Sequence, residues 1–230
     1  MITVNNFTNH ILHALTFSLS EDENLIILGS NGAGKSTLAK LLCGLTPSKN
    51  VELFSKRIDT LSAKERSKLI NYVPPKLEIF DEYISVREYL ELSRLYTSYS
   101  VDEALKLLRI EHLQNKPCKN LSSGEEQLTM LCSALLHAAQ LTIFDEPTAN
   151  LDPQKTKQVF DFLQNEFVNN KIIITHDLNI AYKLGFKILY IQEGKIEFFG
   201  DNKDFFEEQN LNSIFGESLK KVDEYFMVNL

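Results

Sequence analysis

An apolar run at residues 24–28 stops abruptly in Gly29-Ser30-Asn31-Gly32-Ala33-Gly34-Lys35-Ser36-Thr37 and resumes at helical period over residues 36–43, ended by Gly44 and Pro47. Few arrangements satisfy that order. A short continuous apolar run reads as a strand buried on both faces. A helix that starts directly after a glycine-rich turn aims its free N–H groups and its dipole at whatever the turn holds. Glycines at 29, 32 and 34 let backbone N–H groups converge where side chains would collide. The spacing fits a phosphate loop: Lys35 is placed to reach the β- and γ-phosphates of a nucleotide and Ser36 to bind Mg2+, with Ser30, Asn31, Ala33 and Thr37 completing the turn. The bland alternative, a glycine-rich turn with a surface lysine, does not explain the strand before it and the helix after it.

A second apolar strand, residues 141–144, delivers two adjacent acids, Asp145 and Glu146, before Pro147. Parallel sheets bind ligands at the carboxyl ends of their strands. Asp145 is placed to hold Mg2+ through water and Glu146 to orient and polarise an attacking water. Alone, a strand ending in two acids before a turn is common; with the phosphate loop it describes a nucleotide-hydrolysing site. About twenty residues earlier stands Leu121-Ser122-Ser123-Gly124-Glu125. Ser122 followed three residues on by Glu125 is a capping box, which by itself explains the pattern as a helix start.

Residues 2–7 and 11–19 read as two short strands. Residues 51–73 read as a strand, a helix and a strand broken by Pro74-Pro75. Helical spacing at 86–95 and 101–108 marks a helical lobe over about 76–138. A helix at 154–167, a strand at 171–175, a helix at 178–184 and a hairpin at 187–199, turning at Glu193-Gly194, follow. The tail, 201–230, reads as a helix and an edge strand at 225–228. Strands alternating with helices imply a mostly parallel sheet with crossover helices.

In order and spacing these motifs make the chain similar to an ATP-binding-cassette (ABC) ATPase. The likeness covers nearly all 230 residues. The family signature reads Leu-Ser-Gly-Gly-Gln or -Glu, here residues 121–125. Glu146-Pro147-Thr148-Ala149-Asn150-Leu151-Asp152 resembles its D-loop, and Ile174-Thr175-His176-Asp177 its switch histidine. The resemblance implies an α/β P-loop fold: a mostly parallel central sheet, an N-terminal antiparallel β part and the helical lobe inserted in one nucleotide-binding domain over 1–230. It also implies that two copies pack head to tail around ATP and Mg2+. Ser122, Ser123, Gly124 and Glu125 of one copy would then cover the nucleotide on Lys35 of the other. His176 would contact the γ-phosphate, and Asp152 would link the two sites.

The chain departs from the family pattern in four places. Asn71-Tyr72-Val73-Pro74 resembles Tyr-Val-Pro-Gln, but the glutamine position is Pro75. A proline side chain has neither donor nor amide oxygen and fixes φ, so slower or less tightly coupled hydrolysis is expected. Ser123 replaces a glycine. The N-terminal hairpin is short around residues 8–10, where the family usually carries an aromatic that stacks on adenine; Phe7 and His10 are the candidates, and Phe7 also suits the core. Residues 126–133 lack the arginines the family often carries.

About eighty residues between the phosphate loop and the signature leave no room for the coiled-coil insert of DNA-repair or chromosome-organising relatives. A single cassette argues against the translation-factor class. No run approaches 18 apolar residues and residues 1–9 lack the charge and apolar core of a signal peptide, so no segment is expected to cross a membrane. Residues 84–94 and the Glu at 125 resemble importers of iron–siderophore, haem and cobalamin; another importer, a separate-subunit exporter, or a cassette that clamps ATP with little hydrolysis are the other readings. The implied partners are a second copy, integral permease subunits at the cytoplasmic side of the inner membrane and, indirectly, a solute-binding protein. A formal net charge of −7 argues against nucleic-acid binding, which neutralises phosphates with a basic face. Three cysteines with no Cys-x-x-Cys, at 43, 118 and 132, read as free thiols, with Cys43 and Cys132 as small buried hydrophobes.

Overall fold

Period-two alternation sorts the strands into two layers. The computed structural model describes residues 1–79 and 81–229. In chain order the elements are β1 (Ile2–Phe7), β2 (Leu15–Leu19), β3 (Leu25–Leu28), α1 (Lys35–Leu42), β4 (Val51–Leu53), β5 (Lys56–Arg57), α2 (Ala63–Leu69), β6 (Ile70–Val73), α3 (Val86–Ser93), α4 (Val101–Leu107), α5 (Ser123–His137), β7 (Leu141–Asp145), α6 (Pro153–Gln164), β8 (Asn170–Ile174), α7 (Leu178–Leu184), β9 (Lys187–Gln192), β10 (Lys195–Gly200), α8 (Asn202–Phe205), α9 (Glu208–Phe215), β11 (Leu219–Val222) and β12 (Tyr225–Val228). Strands β2-β1-β4-β5 form an antiparallel sheet. Side chains alternate buried and exposed along β2 and along β1 to Asn5, as a sheet with one covered face requires; the register shifts between Val4 and Phe7, which leaves Asn5 and Asn6 both exposed before buried Phe7.

The central sheet has the order β10-β9-β3-β8-β7-β6. Its four ladders from β9 to β6 are parallel, and β10 adds an antiparallel edge. All of β3 and β7 is buried. The two faces feed separate cores. Leu25, Ile27, Ile143 and Ile174 join α1 and the antiparallel sheet; Ile26, Leu28, Phe144 and Ile173 join α3 to α7 and the C-terminal segments. Each fully buried aliphatic side chain contributes about 1.5–3 kcal/mol of transfer free energy, so a register slip of one residue would exchange the two cores and is strongly disfavoured.

Capping sets the helix starts. Ser62, Ser85, Ser100 and Ser122 each close a capping box with the glutamate three residues on, at the heads of α2, α3, α4 and α5. Asp152 and Asp177 cap α6 and α7, and Pro153 occupies the first turn of α6. Of the expected helical lobe, α3 to α5 lie within residues 76–138 and share one core, with Leu90 of α3, Leu105 of α4 and Leu131 and Leu135 of α5 at its centre.

Several expected bounds shift. The strand expected from residue 11 begins at Leu15, because the Asn9 side-chain oxygen accepts from the backbone N–H groups of Ile11 and Leu12 and holds residues 9–12 in a turn. The helix expected to residue 167 ends at Gln164, and that expected to residue 95 ends at Ser93. The tail carries two helices, and residues 225–228 pair with β11 in a ribbon of their own rather than on the edge of the central sheet. Phe226 anchors that ribbon by its ring contacts with Tyr182 and Phe206. Among the described residues no helix is long and apolar enough to cross a membrane. All three cysteines are free. Burial pushes the Cys132 thiol up to about 12 and the Cys118 thiol to about 11, so neither is a thiolate near neutrality.

Candidate functional site

Four parallel strands end on the same edge of the central sheet, and the singled-out residues begin where they end. β3 runs into Gly29, β6 into Pro74-Pro75, β7 into Asp145-Glu146, and β8 into Thr175-His176. Gly29 has φ +154°, and a Cβ there would stand 2.3 Å from the backbone oxygen of Ile191. No side chain fits, so the loop lies against β9 only as glycine. Gly32 has φ +82° and open space where its Cβ would be, which leaves a concave backbone surface facing a cleft of about 340 Å3. Ser36, Thr37, Asp145 and Glu146 line that cleft with Asn31 and Pro75.

Lys35 opens α1 and is buried at 7% exposure. Its ammonium donates to the backbone oxygens of Gly29 at 2.7 Å and Ser30 at 3.0 Å. Burial lowers its proton affinity, and the Asp145 and Glu146 carboxylates counter this. The cation therefore stands beside the open loop with acids behind it. Asp145 is 3% exposed, and its one side-chain partner among the described residues is the Tyr72 phenol, which donates to Oδ2 at 2.7 Å. Glu146 follows β7 at φ +50°, a left-handed conformation that non-glycine residues rarely hold and that collects at functional sites. Its backbone N–H donates to the Ile174 oxygen, and its carboxylate oxygens lie 2.9 and 3.0 Å from Nδ1 of the exposed His176.

This arrangement fits a nucleotide with Mg2+. The backbone concavity and buried ammonium suit phosphate oxygens. Among the described residues no group of three or more His, Cys, Asp or Glu forms a metal cage. Mg2+ does not need one, since it keeps several waters and takes one or two carboxylates beside substrate phosphates. Ser36 and Asp145 are the residues here that would hold it.

The signature turn lies outside this cleft. Ser122 and Ser123 are exposed at the head of α5. Ser123 Oγ donates to the Asn150 oxygen at 3.4 Å, and Gly124 packs on Lys155, whose Cγ would be 2.9 Å from an added Cβ. Glu125 accepts from Ser122 N–H and pairs with Lys116 at 2.7 Å. Asp152 is exposed and accepts from Lys155 N–H as the cap of α6. Thus Lys35, Ser36, Asp145, Glu146 and His176 converge, whereas Ser122 to Glu125 and Asp152 form a second surface.

A family model described as "ABC transporter" matches residues 12–149. The chain belongs to the ABC transporter family. Its curated relatives include the arginine transport ATP-binding protein ArtP of Haemophilus influenzae, 31% identical over 207 residues, covering 82% of this chain and 85% of ArtP. The zinc import ATP-binding protein ZnuC 1 of Aliivibrio fischeri is 30% identical, covering 80% and 70% of the two chains. The structure of cbiO1 from Clostridium perfringens, described as part of the ABC transporter complex cbiONQ, matches with a TM-score of 0.76 at 27% identity, over 93% of this chain and 95% of that one. The chain is an ATP-binding, ATP-hydrolysing ABC cassette that uses ATP with Mg2+, in the α/β P-loop fold expected of it.

Three residues of this cassette's site were not singled out in the sequence. Ile11 lines the cleft, whereas the aromatic candidates do not: Phe7 is buried in the core beside β2, and His10 is exposed. Gln127, on α5, is 4% exposed and donates through Nε2 to the backbone oxygen of Pro75 at 2.8 Å. Tyr72 binds Asp145. Tyr72 stood in the stretch Asn71-Tyr72-Val73-Pro74, but nothing there pairs it with Asp145; a buried polar residue on an otherwise apolar helix face, as at Gln127, is the one available signal.

Proposed function

We propose that this cassette drives transmembrane transport as a head-to-tail pair of copies docked on permease subunits at the cytoplasmic side of the inner membrane, in an importer of iron–siderophore, haem or cobalamin type served by a solute-binding protein. The convergence of Lys35, Asp145, Glu146 and His176 at one sheet edge carries the hydrolytic part of this reading. The 1–230 stretch acts as one nucleotide-binding domain with the lobe at about 76–138 inserted in it.

In this reading the loop from Gly29 to Thr37 binds the phosphates through backbone N–H groups, and Lys35 leaves the Gly29 and Ser30 oxygens to neutralise the β- and γ-oxygens. Ser36, and Asp145 through water, would hold Mg2+, which would supply charge neutralisation for the phosphates. Glu146 orients a water against the γ-phosphorus and takes its proton as the new P–O bond forms and the bond to the bridging oxygen breaks. His176 holds the Glu146 carboxylate in place and contacts the γ-phosphate. Ser122, Ser123, Gly124 and Glu125, of which the two serines are exposed on a surface away from their own cleft, cover the nucleotide of the second copy, and Asp152 joins the two sites. The roles of ArtP in arginine transport and of ZnuC 1 in zinc import favour a transporter subunit over a soluble ATPase. The choice among imported solutes rests on residues 84–94 and Glu125 alone; an exporter subunit is the alternative on the same fold.

A second reading has one observation behind it. Pro75 lines the cleft where the family's glutamine would stand, and a cassette without that amide can clamp ATP while turning it over slowly. Pro75→Gln is therefore expected to raise steady-state turnover several-fold and sharpen its Mg2+ dependence. The assay is hydrolysis by the purified chain with and without permease subunits. Activity stimulated by the permease supports the transport motor. ATP binding with no turnover in either condition selects the clamp, and turnover gained in Pro75→Gln assigns it to Pro75; a rate and Mg2+ dependence unchanged by Pro75→Gln remove Pro75 as the cause.

A further inference from the structure

The carboxylate assigned to the metal is held by Tyr72, a residue to which the sequence motifs gave no role. β6 and β7 are parallel neighbours, and Tyr72 stands in register with Ile143. Registered residues share a face, and so do residues two apart on one strand. Asp145 therefore lies on the same face as Tyr72, one diagonal step further along β7. A phenol is long enough to span that step, and its oxygen ends 2.7 Å from Asp145 Oδ2.

We propose that Tyr72 is a positioning residue for Mg2+ binding, fixing Oδ2 of Asp145 so that Oδ1 is the oxygen offered to the metal's water shell. This rests on the metal-binding reading of Asp145. The direction of the hydrogen bond follows from the two groups: the phenol carries the O–H and the carboxylate offers only lone pairs, so Tyr72 donates. Asp145 is almost fully enclosed, and an enclosed carboxylate without a donor carries a large desolvation cost. Nothing else among the described side chains orients it. The same strand ends at Pro74-Pro75, whose rings offer no donor. In this cassette β6 consequently reaches the metal end of the site from three residues upstream of the substituted glutamine, through a phenol.

The test uses Glu146→Gln protein, so that nucleotide is not consumed. ATP affinity is measured in EDTA and in Mg2+ for that parent, with Tyr72→Phe added, and with Asp145→Ala added; melting temperature is recorded for each. The Tyr72→Phe protein should bind ATP in EDTA like the parent, melt within a few degrees of it, and lose about five- to tenfold of the affinity gained on adding Mg2+, the size expected when one hydrogen bond of ordinary net strength is removed. Electron paramagnetic resonance of Mn2+ in the ATP complex should show an altered coordination signature in the same variant. An unchanged Mg2+ gain in Tyr72→Phe beside a lost gain in Asp145→Ala overturns the role of Tyr72 alone. A gain unchanged in both variants removes Asp145 from the metal site, and Tyr72 with it.

Discussion

Glu146→Gln should lower steady-state MgATP hydrolysis by roughly two to four orders of magnitude, the contribution of a positioned general base, while ATP binding survives. The substitution is close to isosteric. Glutamine can still meet Nδ1 of His176 and keep the backbone bond to Ile174, so the strained turn after β7 stays in place and the proton acceptor alone is lost. Nucleotide that cannot be split should hold two copies together. Size-exclusion chromatography with ATP is expected to show a dimer for the variant where the parent gives monomer or a mixture. A variant that retains turnover would take the base assignment away from Glu146.

Lys35→Ala should weaken ATP binding by about 30- to 150-fold, equivalent to about 2–3 kcal/mol for charge-assisted bonds to phosphate. The affinity lost is that of the cation meeting the phosphates. The nucleotide-free variant also loses the ammonium that bonds the Gly29 and Ser30 oxygens, a cost to the free protein and not to binding. Lys35→Arg keeps the charge but places a planar fork where a compact ammonium fits, so it should restore part of the affinity. Titration of a fluorescent ATP analogue reads the affinity directly. A Lys35→Ala protein that binds ATP as tightly as the parent would mean that backbone N–H groups do all the work of the loop.

The strand, loop and helix around Gly29–Thr37 could be read from local pattern because each carries its own signal: an apolar run, glycines, a helical period. The two acids after β7 were readable for the same reason. Residues 11 and 12 read as the start of a strand only while the side chain of neighbouring Asn9, which captures their backbone N–H groups, is left out. The rest of what the sequence did not show depends on partners distant along the chain. Residues 225–228 have strand composition, but only tertiary packing of Phe226 on Tyr182 and Phe206 decides which strand they join. The link from Gln127 spans 52 residues and that from Tyr72 spans 73; neither has a spacing rule to betray it. Pro75 was visible as a departure, yet its backbone oxygen, the part that binds Gln127, is the part a substitution table ignores.

The repeated Ser-x-x-Glu helix starts give the molecule a built-in sensitivity to protons. Glu65, Glu88, Glu103 and Glu125 all have carboxyl pKa values below the usual 4.5. Hydrogen bonds from their serines are the leading cause in the first three. At Glu125 burial pulls the other way but is outweighed by Lys116 and Ser122, which bring it down to about 2. Each group binds its proton less readily folded than unfolded, so its contribution is complete above the ordinary carboxylate range and fades as pH falls below 4.5 towards the lowered values. Three of the four glutamates head α3, α4 and α5. Acidification should therefore loosen the helical lobe while the sheet edge that carries the phosphate loop still stands. Hydrogen exchange measured between pH 5 and pH 3 should lose protection in α3 to α5 before β3 and β7; simultaneous loss in both would show that the caps hold no separate unit.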